Sequence, residues 1–167
     1  MDLLVDRLPD DVERLVKTLL HDACDRSLTL ATAESCTGGL LAALLTDVEG
    51  YSHAFERGFI VYSEEAKADL LGISPALIDT EGAVSKAVAL AMAQGALARS
   101  AADIVLAVTG FAGSAGPDDE PGLVHFACVR RGRAPAHREE HFGNRGRTAI
   151  RLDAIRVSIA MMHDALA

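Results

Sequence analysis

The stretch Leu28-Thr29-Leu30-Ala31-Thr32-Ala33-Glu34-Ser35-Cys36-Thr37-Gly38-Gly39-Leu40-Leu41-Ala42-Ala43-Leu44-Leu45 decides the fold. Residues 28–33 alternate in the manner of a strand, residues 34–39 form a polar turn ending in two glycines, and an apolar helix follows over 40–47. Strand, loop and helix in that order make half of a parallel unit, and the alternation recurs downstream. Residues 54–62 read as a second strand, and Ser63 caps a helix with Glu64 and Glu65 in its first turn that stops near Gly72. Residues 73–84, with Pro75 and Gly82, read as a loop with room for one helical turn, after which Ser85 caps a helix to about residue 100. The unbroken apolar run 103–109 suits a buried central strand and opens into the glycine-rich loop 110–117. Strands follow over 122–129 and, more polar and so at an edge, over 136–142, and residues 148–166 close the chain as a helix. Upstream, Val12, Leu15, Val16, Leu19, Leu20 and Cys24 recur at helical spacing from about residue 8 to residue 25. The expectation is one α/β domain over 1–167, a three-layer α/β/α sandwich with a mixed, mostly parallel sheet.

The bulk properties agree with a compact domain and narrow its partners. A chain of 167 residues with 50% hydrophobic content buries roughly 70% of its unfolded surface. Sixteen Lys and Arg against twenty-four Asp and Glu give a net charge of -8, which repels nucleic acid and acidic membranes. Neither partner is expected. The most apolar windows, 38–45 and 84–108, are short or interrupted by Gln94, Arg99 and Asp103, so no membrane span is expected. Three widely spaced cysteines suit reduced thiols, and the acidic segment Met1-Asp2-Leu3-Leu4-Val5-Asp6-Arg7 lacks the pattern of a secretory signal; both point to a cytoplasmic location. No metal or cofactor is expected, since His137 and His141 would stand about 13 Å apart along one strand and the carboxylates are scattered.

Several residues carry candidate chemistry. Ser35, between a strand and a helix opening with Gly38 and Gly39, is either a nucleophile beside an oxyanion-binding helix start or, with Thr37, simply a helix cap. Cys36 is the stronger intrinsic nucleophile but has no identifiable histidine partner. Lys67, five residues beyond Tyr62, is the nearest amine; service as a base at neutral pH requires its pKa to fall to about 7 to 8, roughly 4 kcal/mol of differential stabilisation. Otherwise Lys67 is a solvated helix lysine and Tyr62 a strand-end aromatic. Thr109, Gly110, Ala112 and Gly113 either present groups to a ligand or form a surface connection. Arg145, Arg147 and Arg151 concentrate positive charge at the last helix, suited to a phosphate monoester or to solubility. The stripe Val88, Ala91, Met92, Gly95 reads as close core packing or a subunit interface.

Five blocks in order resemble the CinA C-terminal domain family, which includes stand-alone bacterial nicotinamide-nucleotide amidohydrolases. They are Thr32-Ala33-Glu34-Ser35-Cys36-Thr37-Gly38-Gly39; Val61-Tyr62-Ser63 with Lys67; Gly82-Ala83-Val84-Ser85; Ala107-Val108-Thr109-Gly110 with Ala112-Gly113; and Phe142-Gly143-Asn144-Arg145 with Arg151. The resemblance implies hydrolysis of the carboxamide of nicotinamide mononucleotide to nicotinate mononucleotide and ammonia, in a homodimer. Ser35 would be the nucleophile, Lys67 the base and Tyr62 an orienting or proton-relaying partner. Thr37, Gly38, Gly39, Thr109, Gly110, Ala112 and Gly113 would line the substrate site, with Arg145 on the phosphate. The chain departs from the family pattern after Gly113, where Ser114-Ala115-Gly116-Pro117 and Glu120-Pro121-Gly122 replace a longer glycine-rich loop and a lysine. The alternative is a non-catalytic module that keeps the pocket for a nucleotide or a protein partner. A Rossmann-type dehydrogenase is disfavoured because no G-x-G-x-x-G follows the first strand.

Overall fold

In the computed structural model, which describes residues 8–113, 116 and 119–167, strand and helix alternate as the apolar pattern dictates. The elements are α1 (Asp10–Asp25), β1 (Leu30–Glu34), α2 (Leu40–Thr46), a short 3-10 turn (Ser52–Ala54), β2 (Phe55–Ile60), α3 (Glu64–Leu71), α4 (Pro75–Glu81), α5 (Lys86–Ala98), β3 (Ile104–Gly110), β4 (Leu123–Arg130), β5 (Ala136–His141) and α6 (Arg147–Asp164). The acidic segment before residue 8 and Ser114, Ala115 and Pro117 of the shortened loop lie outside the described residues.

The five strands form one mixed sheet in the order β2-β1-β3-β4-β5. β1 runs parallel to both β2 and β3, while β4 is antiparallel to β3 and to β5, so only β4 opposes the common direction. Alternate side chains of each strand serve opposite faces. Leu30 of β1 joins Val12, Leu19, Leu41, Phe126 and Ile155 in an apolar layer under α1, α2 and α6. Ala31 and Ala33 join Val88, Met92, Val105 and Val129 in a second layer under α3, α4 and α5. This is the expected three-layer sandwich. Asp103 locks β1 to β3 at its start, accepting from the Thr29 amide at 2.8 Å and the Thr29 hydroxyl at 2.9 Å.

One difference from the sequence reading has a local cause, and one of the packing expectations is met. The segment expected as a loop with one turn contains α4, because Pro75 occupies its first turn, where no amide is needed, and Gly82 ends it with φ of 80°. The small-residue stripe of α5 packs within the molecule: a Cβ on Gly95 would stand 2.3 Å from the Leu71 carbonyl oxygen, and Val88 and Met92 are fully buried. The stripe therefore supplies close packing of α5 on α3. Among the described residues no helix is long and apolar enough to cross a membrane.

Candidate active site

The carboxyl ends of β2, β1 and β3 lie side by side, which is where open α/β sheets place ligands. The Ser35 amide donates to the Val108 carbonyl at 3.0 Å, and the Val61 amide to the Glu34 carbonyl at 2.8 Å, so the loops that leave the strands are held together. A cavity of about 380 Å³ opens at this edge, lined by Ser35, Cys36, Tyr62, Ser63, Glu64, Lys67, Ala83, Val84, Thr109, Gly110, Ala112 and Arg147. That volume suits a small-molecule ligand.

Lys67 is 2% exposed. It comes from the first turns of α3, whose N-cap Ser63 accepts from the Ala66 amide at 3.1 Å. Its Nζ lies 3.1 Å from Ser35 Oγ, 3.0 Å from the Val61 carbonyl and 3.3 Å from the Tyr62 carbonyl. Burial, by stripping water from the ammonium, pushes its pKa below the ordinary lysine value, while Glu64 pushes the other way. An amine with two carbonyls for its two protons keeps a lone pair for the Ser35 hydroxyl. The geometry thus brings together the two side chains that the sequence could only pair by chemical need.

Glu34 organises the turn and was not singled out from the sequence. Fully buried at the end of β1, its carboxylate accepts from the amides of Gly39 at 3.1 Å, Leu41 at 3.0 Å and Ala42 at 2.8 Å, and from the Thr32 hydroxyl at 3.2 Å. A carboxylate at a helix N-terminus satisfies both its orphan amides and its dipole. α2 has no acid in its first turn and no N-cap side-chain bond, which is the signal that a distant anion had to serve.

This corrects the expected role of the glycine pair. Gly39, in the left-handed region at φ of 92°, gives its amide to Glu34, and the Gly38 amide goes to the Ser35 carbonyl at 3.1 Å. Neither lines the cavity, and Thr37 is fully buried with its carbonyl accepting from Arg151 Nη2. Among the described residues no main-chain carbonyl takes the amide of Cys36, a residue of the cavity wall.

The remaining candidates divide. Thr109, Gly110 and Ala112 line the cavity, and the Thr109 hydroxyl holds the 83–84 wall by donating to the Ala83 carbonyl at 2.8 Å. Gly113 lies outside the lining, beside Arg147. Tyr62 meets Lys67 through its main-chain carbonyl, and its phenol oxygen, on a side chain 63% exposed, accepts from Arg147 Nη2 at 3.4 Å. Arg145 turns away from the cavity to pair with Asp153 at 2.5 Å, and Arg147, the first residue of α6, stands at the mouth instead. Burial pushes the Cys36 thiol up to about 12, so it is not a thiolate at neutral pH. Among the described residues no group of three or more His, Cys, Asp or Glu is placed to hold a metal ion.

Comparison with known proteins accords with this architecture. The model of the CinA C-terminal domain matches residues 12–166. A putative competence-damage inducible protein of Symbiobacterium thermophilum is 50% identical over 125 residues, 74% of this chain and 29% of that protein. A CinA-like protein of Syntrophobacter fumaroxidans is 42% identical over 154 residues, 90% of this chain and 35% of that protein. The chain thus spans about a third of the length of these curated relatives. The crystal structure of the competence/damage inducible protein CihA from Agrobacterium tumefaciens superposes with a TM-score of 0.92 at 43% identity, covering 97% of this chain and 99% of that one. A CinA superfamily protein from Escherichia coli gives 0.85 at 32% identity, covering 98% and 95%.

Proposed function

Because the chain belongs to the CinA C-terminal domain family, we propose that it is an amidohydrolase that converts the carboxamide of nicotinamide mononucleotide to the carboxylate, releasing ammonia. The observation that carries the reading is the 3.1 Å contact between the buried Lys67 amine and the Ser35 hydroxyl in the wall of the cavity.

In this reaction Ser35 Oγ attacks the carboxamide carbon while its proton passes to the Lys67 lone pair. The oxyanion that forms is met by the Cys36 amide, adjacent to the nucleophile. Lys67 returns the proton to the leaving nitrogen, the C–N bond breaks, and ammonia departs from an ester on Ser35. Water then attacks the ester with Lys67 again as base, regenerating the hydroxyl and releasing the nicotinate nucleotide. Thr109, Gly110 and Ala112 supply part of the wall that receives the substrate. Tyr62 acts through its carbonyl, which fixes the amine, and through its ring at the mouth. Arg147 takes the phosphate, in place of the Arg145 expected from the sequence. Assembly as a homodimer in the cytoplasm belongs to the same proposal and rests on the family resemblance; light scattering tests the dimer.

Incubation of the purified protein with the mononucleotide, with ammonia assayed enzymatically and binding followed by calorimetry, decides the reading. Ammonia release in proportion to protein supports it. Saturable heat without ammonia assigns the cavity to a receptor instead.

A further inference from the structure

Beyond the reacting pair, two charged side chains stand in the cavity wall, Arg147 at the start of α6 and Glu64 at the start of α3. Arg147 has its place on the phosphate. Glu64 has none in the reaction as described, and its charge opposes neutralisation of Lys67. A carboxylate that works against the base calls for another use.

We infer that Glu64 is a specificity-determining residue that selects a cationic ring, admitting quaternary pyridinium amides and disfavouring neutral aromatic amides. The inference rests on the amidohydrolase reading and names the substrate class of that same site. Glu64 and Lys67 are three residues apart on α3 and so share a face, and both line the cavity, Lys67 buried and Glu64 exposed. Arg147 would by itself give the pocket a positive field and repel a ring that bears a fixed positive charge. Among the described lining residues Glu64 is the sole carboxylate; besides Lys67 and Arg147 the remainder carry hydroxyl, thiol, phenol or apolar side chains or are glycine. Cation and anion sites on two walls match a zwitterion in which a pyridinium ring is linked through a sugar to a phosphate. Free nicotinamide, lacking both charges, gains from neither wall. The discrimination is therefore electrostatic.

The test measures dissociation constants by calorimetry on Ser35→Ala protein, which removes turnover, with three probes: nicotinamide mononucleotide, nicotinamide riboside and nicotinamide. Adding Glu64→Gln is expected to weaken the mononucleotide and the riboside about tenfold and nicotinamide less than twofold. Adding Arg147→Gln is expected to weaken the mononucleotide alone. Glu64→Asp, which keeps the charge, should preserve the ranking, and thermal melts of each variant separate a folding defect from a binding one. Equal weakening of all three probes by Glu64→Gln, no weakening, or no detectable binding of the cationic probes overturns the inference. The ammonia assay on Ser35-intact protein stands apart. Absence of ammonia with the charge ranking preserved removes the amidohydrolase and leaves the specificity, whereas ammonia without the ranking does the reverse.

Discussion

Replacing Glu34 with Ala removes one carboxylate and unpairs four donors, the amides of Gly39, Leu41 and Ala42 and the Thr32 hydroxyl. A buried donor left without a partner costs about 1–3 kcal/mol. Gly39 lies near the surface, where water can replace part of the loss, and the Thr32 hydroxyl can turn to a new acceptor. The two amides at Leu41 and Ala42 then dominate, and the expected destabilisation is about 4 kcal/mol, in line with losses of about 3–5 kcal/mol on breaking buried charge interactions. For a domain of this size that corresponds to a melting temperature lower by roughly 8–16 °C. Urea unfolding followed by circular dichroism reads the change directly. Glu34→Gln, which keeps one acceptor oxygen and turns an NH2 group toward the donors, should fall between the two. A Glu34→Ala protein within about 1 kcal/mol of wild type would refute the claim that this carboxylate organises the turn beneath Ser35.

Other expectations follow from the same contacts. Burial lowers the Lys67 pKa in the folded state, so the unfolded chain binds more protons between that lowered value and the ordinary 10.5, and stability rises with pH across that window. Lys67→Met should abolish this slope in urea titrations at successive alkaline pH values; identical slopes would contradict the burial argument. Cys36→Ala should retain most of the ammonia release, because a thiol pushed up to about 12 is no nucleophile at neutral pH, and complete loss with the fold intact would reopen the assignment. Gly95→Ala, whose Cβ would meet the Leu71 carbonyl oxygen at 2.3 Å, should destabilise by about 2 kcal/mol despite alanine's better helix propensity, as thermal denaturation can show. Arg145→Ala should leave the KM for the mononucleotide unchanged and cost less than about 1 kcal/mol, since it breaks one surface ion pair with Asp153.

The layers and their order were legible in the sequence because β1 alternates, β3 is an unbroken apolar run of strand length, and the apolar residues of α1 recur at helical spacing. α4 was obscured by Pro75 and Gly82, which read as breakers although a proline at the start and a glycine at the end are also the marks of a short helix. At the site, Ser35 and Lys67 are 32 positions apart, and only the parallel pairing of β1 with β2 carries the start of α3 over the turn after β1. A carboxylate beside a nucleophile reads in the sequence as part of a polar loop, whereas the function of Glu34 depends on the amides of Leu41 and Ala42 in α2 and of Gly39 just before it. The choice between Arg145 and Arg147 turned on helix phase: Gly146 lies between them, and only the residue after it begins α6 facing the cavity. Such facts lie in the third dimension of the chain and leave little trace in spacing.

Everything in the functional account depends on the hydroxyl of residue 35 and the amine of residue 67 acting together. The most direct measurement is ammonia release from nicotinamide mononucleotide by Ser35→Ala and by Lys67→Ala, each shown by calorimetry to bind the nucleotide. The account predicts that both variants bind and that each loses at least about a thousandfold in kcat, on the order expected when a nucleophile or its base is removed. Turnover at the wild-type rate in either variant would contradict it.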